Sequence, residues 1–221
     1  MLELLDKTVR YGKTLALDKV TVRIADGERV AVCGLNGSGK STLLRALLES
    51  SLGMSKPRAV FVPQDVPTEL ELSLTAHDYV MLGRTPYLSA WRRPSAKDEA
   101  AVAGALRDVG LEGFASRRLG GVSGGERRRL AIALALASGA PALLLDESMA
   151  HLDVQARAEI FALLVRTGRT IVMSIHEFPL PTKVFTRAVL LQGGRIAADG
   201  DPDVVVPQLV SVFEGREWPH A

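Results

Sequence analysis

Gly34-Leu35-Asn36-Gly37-Ser38-Gly39-Lys40-Ser41 sets two outer glycines around four residues and follows them with a lysine and a hydroxyl. Glycines let backbone N–H groups curl around an anion, and the lysine supplies a mobile positive charge. The continuous apolar run Val30–Cys33 precedes this stretch, and a helical pattern over Ser41–Leu48 follows it. A strand, a glycine loop and a helix start in that order make a cradle for the phosphates of a nucleotide. Lys40 is expected to reach the β- and γ-phosphates and Ser41 to ligate Mg²⁺, with Asn36, Gly37, Ser38 and Thr42 completing the contacts.

A second acidic element supplies the chemistry that a cradle lacks. Leu143-Leu144-Leu145-Asp146-Glu147 ends a buried strand with two carboxylates. Asp146 is expected to hold Mg²⁺ through water. Glu147 is expected to polarise the water that attacks the γ-phosphate.

A third stretch, Gly120-Gly121-Val122-Ser123-Gly124-Gly125-Glu126, has glycines but no lysine. Ser123 and Glu126 form an S-x-x-E capping box at the head of a helix running to about Ala137. Two readings stand at this point. The box is only a helix cap with a glycine turn, or its bare amides form a second phosphate site.

The elements that must position these residues follow from pattern. Of the 221 residues, 47% are hydrophobic and 24% charged, the balance of a folded α/β domain. Val20, Val22 and Ile24 alternate with Thr21 and Arg23, so residues 1–30 read as short antiparallel strands, with a hairpin-type turn at Asp26-Gly27. Ala59–Val62, Ala142–Leu145 and Thr170–Ile175 read as strands, the last two as apolar runs of a parallel sheet buried on both faces. Arg187–Ala198 reads as a hairpin about Gly193-Gly194.

Thr75-x-x-Asp78 and Ser95-x-x-Asp98 each open a helix, and Val102, Leu106 and Val109 line one face before Gly110. The expected architecture is a P-loop NTPase core (30–73 and 119–221) with a mostly parallel sheet. It carries an N-terminal antiparallel β-subdomain (1–30) and a helical insert (74–118), all within a single domain, 1–221.

A net charge of +2 is too mild a footprint for nucleic-acid binding. The single cysteine, Cys33, cannot form an internal disulfide. No apolar run reaches the ~18 residues of a membrane span, and the start lacks a signal-peptide pattern, so any membrane role is expected through a partner.

With Ser123-Gly124-Gly125-Glu126 standing between Lys40 and Asp146-Glu147, the chain resembles the ATP-binding cassette family over nearly its whole length. The resemblance assigns Tyr11 to stacking on adenine and Gln64 to sensing Mg²⁺ and the membrane partner. It assigns Asp153 to the D-loop and His176 to the γ-phosphate. It leaves His77, His151 and His220 without a functional role.

The implied enzyme hydrolyses ATP with Mg²⁺. Two copies pack head to tail, so Ser123, Gly124, Gly125 and Glu126 hold the nucleotide on the other copy's P-loop. A separate permease is the implied membrane partner, with a solute-binding protein in the full system, no nucleic acid, and a location on the cytoplasmic face of the membrane.

Three departures from the family pattern stand out. Val122 replaces the usual leucine, and Ser148-Met149 replaces the usual Pro-Thr or Pro-Ser. Only 24 positions separate Lys40 from Gln64, which implies a shortened β-subdomain and bears on how firmly Tyr11 is held.

The element Gly83-Arg84-x-Pro86-Tyr87 resembles importers of iron-siderophore, haem and cobalamin. A manganese or zinc importer and a weakly active or regulatory cassette are the alternatives. A soluble cassette protein acting on DNA or the ribosome fits less well, because such proteins usually carry two cassettes or long coiled coils.

Overall fold

The computed structural model describes residues 1–52, 58–64, 73–87, 93–149, 152–175 and 182–213. Strands β1 (Leu2–Tyr11) and β2 (Thr14–Ile24) pair antiparallel and close at Gly12-Lys13. The alternation read in β2 is met: Val20, Val22 and Ile24 are buried while Thr21 and Arg23 face water.

Asp26-Gly27 does not close a hairpin. It carries the chain into β3 (Arg29–Cys33), which pairs in parallel with two strands of a second sheet. The physical reason is the apolar run Val30–Cys33, buried on both faces, which a two-stranded ribbon cannot cover.

That second sheet has six strands in the order β4-β5-β6-β3-β7-β8. They are β4 (Ala59–Val62), β5 (Ala142–Asp146), β6 (Thr170–Ile175), β7 (Arg187–Gln192) and β8 (Arg195–Gly200) beside β3. All neighbours are parallel except β7 and β8, which turn at Gly193-Gly194 as expected.

Alternate residues of each strand feed separate cores. Val30, Val32, Leu144 and Val172 pack with Leu43, Leu44 and Leu47 of helix α1 (Lys40–Ser50) and with the β1–β2 ribbon. Ala31, Cys33, Leu143, Leu145 and Met173 face the remaining helices.

Those helices are α2 (Ala76–Met81), α3 (Ala96–Asp108), α4 (Gly124–Ala137), α5 (Val154–Arg166) and α6 (Pro202–Phe213). Ser95 makes the full reciprocal capping box with Asp98, whereas Thr75 caps α2 by accepting from the Asp78 N–H. Val102, Leu106 and Val109 are buried together, and Gly110, at φ 72°, ends α3 in the left-handed region.

The stretch from α2 to α3 is pinned where it leaves and rejoins the core, by a bridge between Thr75 and Arg118. It is pinned again by the Gly83-Arg84 element. Gly83 lies against the Leu134 carbonyl, where a Cβ would collide. The Arg84 Nη1 donates to the carbonyls of Ala137 (3.0 Å) and Ser138 (3.3 Å) at the end of α4, and Nε donates to Asp98 Oδ1 at 2.9 Å. The arginine meets the negative end of the helix there and satisfies carbonyls that no helix turn reaches.

Between α1 and β4 only Ser51, Leu52 and Arg58 are described, and the rest of that short connection lies outside the described residues. Among the described residues no helix is long and apolar enough to cross a membrane.

Candidate functional site

The phosphate cradle is built where β3 runs into α1. Gly34 adopts φ 148°, and a side chain there would strike the Leu191 carbonyl and Ser38 Oγ. Gly39 is the N-cap of α1 at φ 106°, with the Ala16 carbonyl 2.5 Å from where a Cβ would stand. Only glycine fits either place. The loop thus joins a strand buried on both faces directly to the start of α1.

Lys40 is 5% exposed, and its ammonium donates to the carbonyls of Gly34 (2.9 Å) and Leu35 (3.2 Å). Burial lowers its pKa, while the charges of Glu147 and Asp146 pull it back up. Among the described residues the ammonium bonds to its own loop, with two carboxylates nearby, which suits a polyphosphate that brings better acceptors. Ser38 Oγ is buried with no hydrogen-bond partner among the described residues, an orphan that a phosphate oxygen would satisfy. Cys33, the last residue of β3, is pushed up to about 12 by burial and remains a neutral thiol beneath the loop.

An open cleft of 550 Å³ lies over the cradle. It is lined by Asn36, Gly37, Gly39, Lys40, Ser41 and Thr42 of the loop and helix start, by Gln64 and Glu147, and by Thr14, Leu15 and Ala16 of β2. The structure thus brings together the loop, the end of β4 and the end of β5, although these are distant in sequence.

Asp146 is 2% exposed and, unlike Glu147, is not among the residues lining the cleft. Ser174 Oγ donates to Asp146 Oδ1 at 2.6 Å and accepts from the Glu147 N–H at 2.9 Å. Glu147 takes φ 44°, a left-handed backbone that residues with a Cβ rarely adopt. Among the described residues no cluster of three His, Cys, Asp or Glu side chains could hold a metal unaided. Mg²⁺ needs less, because one or two protein oxygens suffice when phosphates supply others. Ser41 and Asp146 offer hard oxygen donors of that kind.

Gln64 is held through its backbone. Arg128 of α4 donates from Nη1 to the Pro63 carbonyl (3.1 Å) and from Nη2 to the Gln64 carbonyl (2.6 Å). Tyr11 stands opposite Thr14 across the turn, 56% exposed, and is not among the residues lining the cleft.

The Ser123 loop is elsewhere. Ser123, Gly124, Gly125 and Glu126 do not line the cleft, and Ser123 and Gly124 are exposed. Its capping box is complete: Ser123 N–H donates to Glu126 Oε2 at 2.7 Å, and Glu126 N–H donates to Ser123 Oγ at 3.3 Å. The hydroxyl serves the cap as an acceptor, and it also bonds the Glu126 carboxylate. Glu126 is held below the usual carboxylate range by its bonds to Ser123, and then by Arg117 and Arg129.

Asp153 is the N-cap of α5, its Oδ1 accepting from the Ala156 N–H at 2.7 Å. The departures settle into the core. Val122 is 5% exposed, Ser148 is fully buried with its hydroxyl toward the Asp146 carbonyl, and Met149 packs into the larger core. His176, His151 and His220 lie outside the described residues, as do the side chains of Pro86 and Tyr87.

Sequence reasoning missed Ser174, Arg128 and the β2 residues of the cleft, and it named Arg84 only as part of a cargo-class element, not for its bonds to α4 and Asp98. Ser174 carried a signal, a lone hydroxyl in the apolar strand Thr170–Ile175. Arg128 carried one too, because it falls on the buried stripe with Ile132 and Ala135 at helical spacing.

Comparison with known proteins bears on this geometry. Residues 17–150 match the family model described as ABC transporter. The manganese transport system ATP-binding protein MntB of Listeria monocytogenes is 33% identical over 212 residues, covering 89% of this chain and 88% of that protein. The hemin import ATP-binding protein HmuV of Streptomyces coelicolor is 36% identical over 219 residues, covering 90% of this chain and 78% of that protein.

Among solved structures, a dimeric post-hydrolysis state of the ATP-binding cassette MJ0796 bound to ADP and Pi superposes with a TM-score of 0.76. It is 26% identical and covers 91% of this chain and 98% of that chain. With the P-loop, the acidic strand end and the capped glycine loop placed as described, the chain belongs to the ABC transporter family, as its ATP-hydrolysing nucleotide-binding cassette.

Proposed function

We propose that this cassette powers an importer as one of two identical head-to-tail copies on a separate permease. The observation that carries the reading is the division of parts. Lys40 and Glu147 meet in one cleft, while Ser123 to Glu126 lie outside it on an exposed helix start. A second copy brings its Ser123 loop to complete each cleft.

In this reading the cradle amides and Lys40 bind the β- and γ-phosphates, and the Ser123 hydroxyl with the Gly124 and Gly125 amides of the partner copy close over the γ-phosphate. Ser41, Asp146 and Gln64 would hold Mg²⁺, which when bound neutralises charge on the phosphate oxygens. Glu147 orients and deprotonates the attacking water. His176 contacts the γ-phosphate, Asp153 serves the interface between copies, and Tyr11, the strand partner of Thr14, stacks on the base.

The cargo is proposed to be metal-bearing. Relatives named for hemin import and for manganese transport both support that class, and the Gly83-Arg84-x-Pro86 resemblance favours a chelate such as an iron-siderophore, haem or cobalamin. A free manganese or zinc ion is the second reading, supported by the manganese-system relative. Selection itself falls to the permease and a solute-binding protein.

Phosphate release by the chain alone and reconstituted with its permease tests the reading. Turnover that rises with permease and cargo, and collapses in Glu147→Gln, is the expected result. Equal turnover in Glu147→Gln would overturn the catalytic assignment, and turnover indifferent to the permease would leave a regulatory cassette.

A further inference from the structure

Ser174 lies in no phosphate-binding motif, yet it bonds both Asp146, the last residue of β5, and Glu147 just after it. It faces Asp146 directly in the parallel register of β5 and β6, and both residues are 2% exposed. The Glu147 N–H can only donate, so at 2.9 Å the Ser174 oxygen must accept. The one hydroxyl proton is then committed to Asp146 Oδ1 at 2.6 Å. Proton direction is fixed along the chain from the Glu147 amide through Ser174 to the Asp146 carboxylate.

Glu147 is held at φ 44° at the end of this chain. That backbone persists only where neighbouring bonds impose it, and such outliers gather at sites whose geometry matters. The Glu147 N–H bond to Ser174 is an imposing bond of that kind. With the peptide in this conformation, Glu147 lines the cleft and Asp146 does not.

We propose that Ser174 is a positioning residue for hydrolysis: its hydroxyl fixes the Glu147 peptide in the left-handed conformation and aims the carboxylate at the cleft. The proposal rests on the reading of Glu147 as the base. Ser174 itself does not touch substrate. Ser174→Ala removes both bonds at once, while Ser174→Thr keeps the hydroxyl and suits a strand.

The test uses the isolated full chain with saturating Mg-ATP. Ser174→Ala is expected to lower kcat about tenfold with the KM for ATP within about twofold, and Ser174→Thr to recover most of the loss. Placed on Glu147→Gln in single-turnover assays, Ser174→Ala is expected to add no further loss, because the two act as one unit.

A parental kcat in Ser174→Ala would overturn the proposal. So would a loss that multiplies in full with that of Glu147→Gln, the mark of a general structural effect. Parental turnover by Glu147→Gln alone would instead overturn the assignment of the base, and the proposal with it. If Ser174→Ala fails to fold, Ser174→Thr and Ser174→Cys carry the comparison, since the thiol is a weak donor and acceptor. Thr active with Cys impaired in kcat alone supports the proposal, and equal activity in both overturns it.

Discussion

Arg128 grips the Gln64 peptide from a different element, with Nη2 2.6 Å from the Gln64 carbonyl and Nη1 3.1 Å from that of Pro63. Helix α4 therefore has two duties within its first turns. Its capped start presents the exposed Ser123 loop, and Arg128, itself 6% exposed, ties the helix to the strand end that brings Gln64 to the cleft. The linkage predicts that Arg128→Met destabilises the fold by about 1.5–3 kcal/mol, the range for hydrogen bonds involving a charged group. Arg128→Lys recovers only part, because an ammonium lacks the planar fork that serves two carbonyls together. Denaturant unfolding of the three proteins checks the order.

His77 predicts a pH dependence in the opposite direction from that of most carboxylates. Its Nε2 lies 2.7 Å from Glu99 Oε2 and its Nδ1 3.3 Å from Asp78 Oδ1, so the start of α2 is joined to the first turn of α3. The Glu99 bond, against a smaller burial effect, raises the pKa above the ordinary histidine value. A raised folded pKa means the contact stabilises fully below the unfolded value and is lost as pH rises through the folded value. Wild type and His77→Gln should differ most in unfolding free energy at about pH 5 to 6 and converge at alkaline pH. A difference constant with pH would remove the imidazolium from the account.

Asp98 titrates the other way. Its carboxyl is held at about 2 by the Ser95 hydroxyl first, then the Ser95 N–H and Arg84. With the folded pKa depressed, the contribution is complete above the unfolded value of 3.8 and fades as pH falls through about 2. Arg84→Lys is expected to raise the Asp98 pKa and lower the melting temperature, because one ammonium cannot serve Asp98 and the two carbonyls ending α4 together. Carboxyl-carbon NMR titration reads the first effect and thermal unfolding the second.

These results divide what the residues announce from what packing decides. The cradle was legible because glycine, lysine and serine must stand at fixed spacing to hold phosphate, and the strands because apolar runs have nowhere else to go. Ser174, Arg128 and Arg84 were less legible, because each acts by reaching across elements that only the fold brings together. Arg84 shows this well. Its motif resembles a mark of cargo class, but in the structure it seals the end of α4 and holds Asp98. The Asp26-Gly27 turn shows the converse, a local hairpin signal overridden by the need to bury β3 on both faces.

The last prediction decides whose nucleotide the Ser123 loop holds. Gly124 suits the test, because a Cβ there meets nothing within 4 Å and the Ser123 cap is left in place. Gly124→Asp puts a carboxylate where a phosphate is expected, so like charges repel. Monomer affinity for ATP should stay near the parental value, while ATP-dependent dimerisation and turnover are lost. Calorimetry and light scattering read these separately. Loss of monomer binding would place the loop over its own cleft. Mixing Gly124→Asp with Lys40→Ala sharpens the distinction. If the loop acts across the interface, a mixed pair has one intact site, made of Lys40 from the first chain and the Ser123 loop from the second. Each variant alone has none. Recovery of nucleotide-dependent pairing in the mixture is therefore expected, whereas a loop acting within its own chain leaves every site broken and the mixture as inert as its parts.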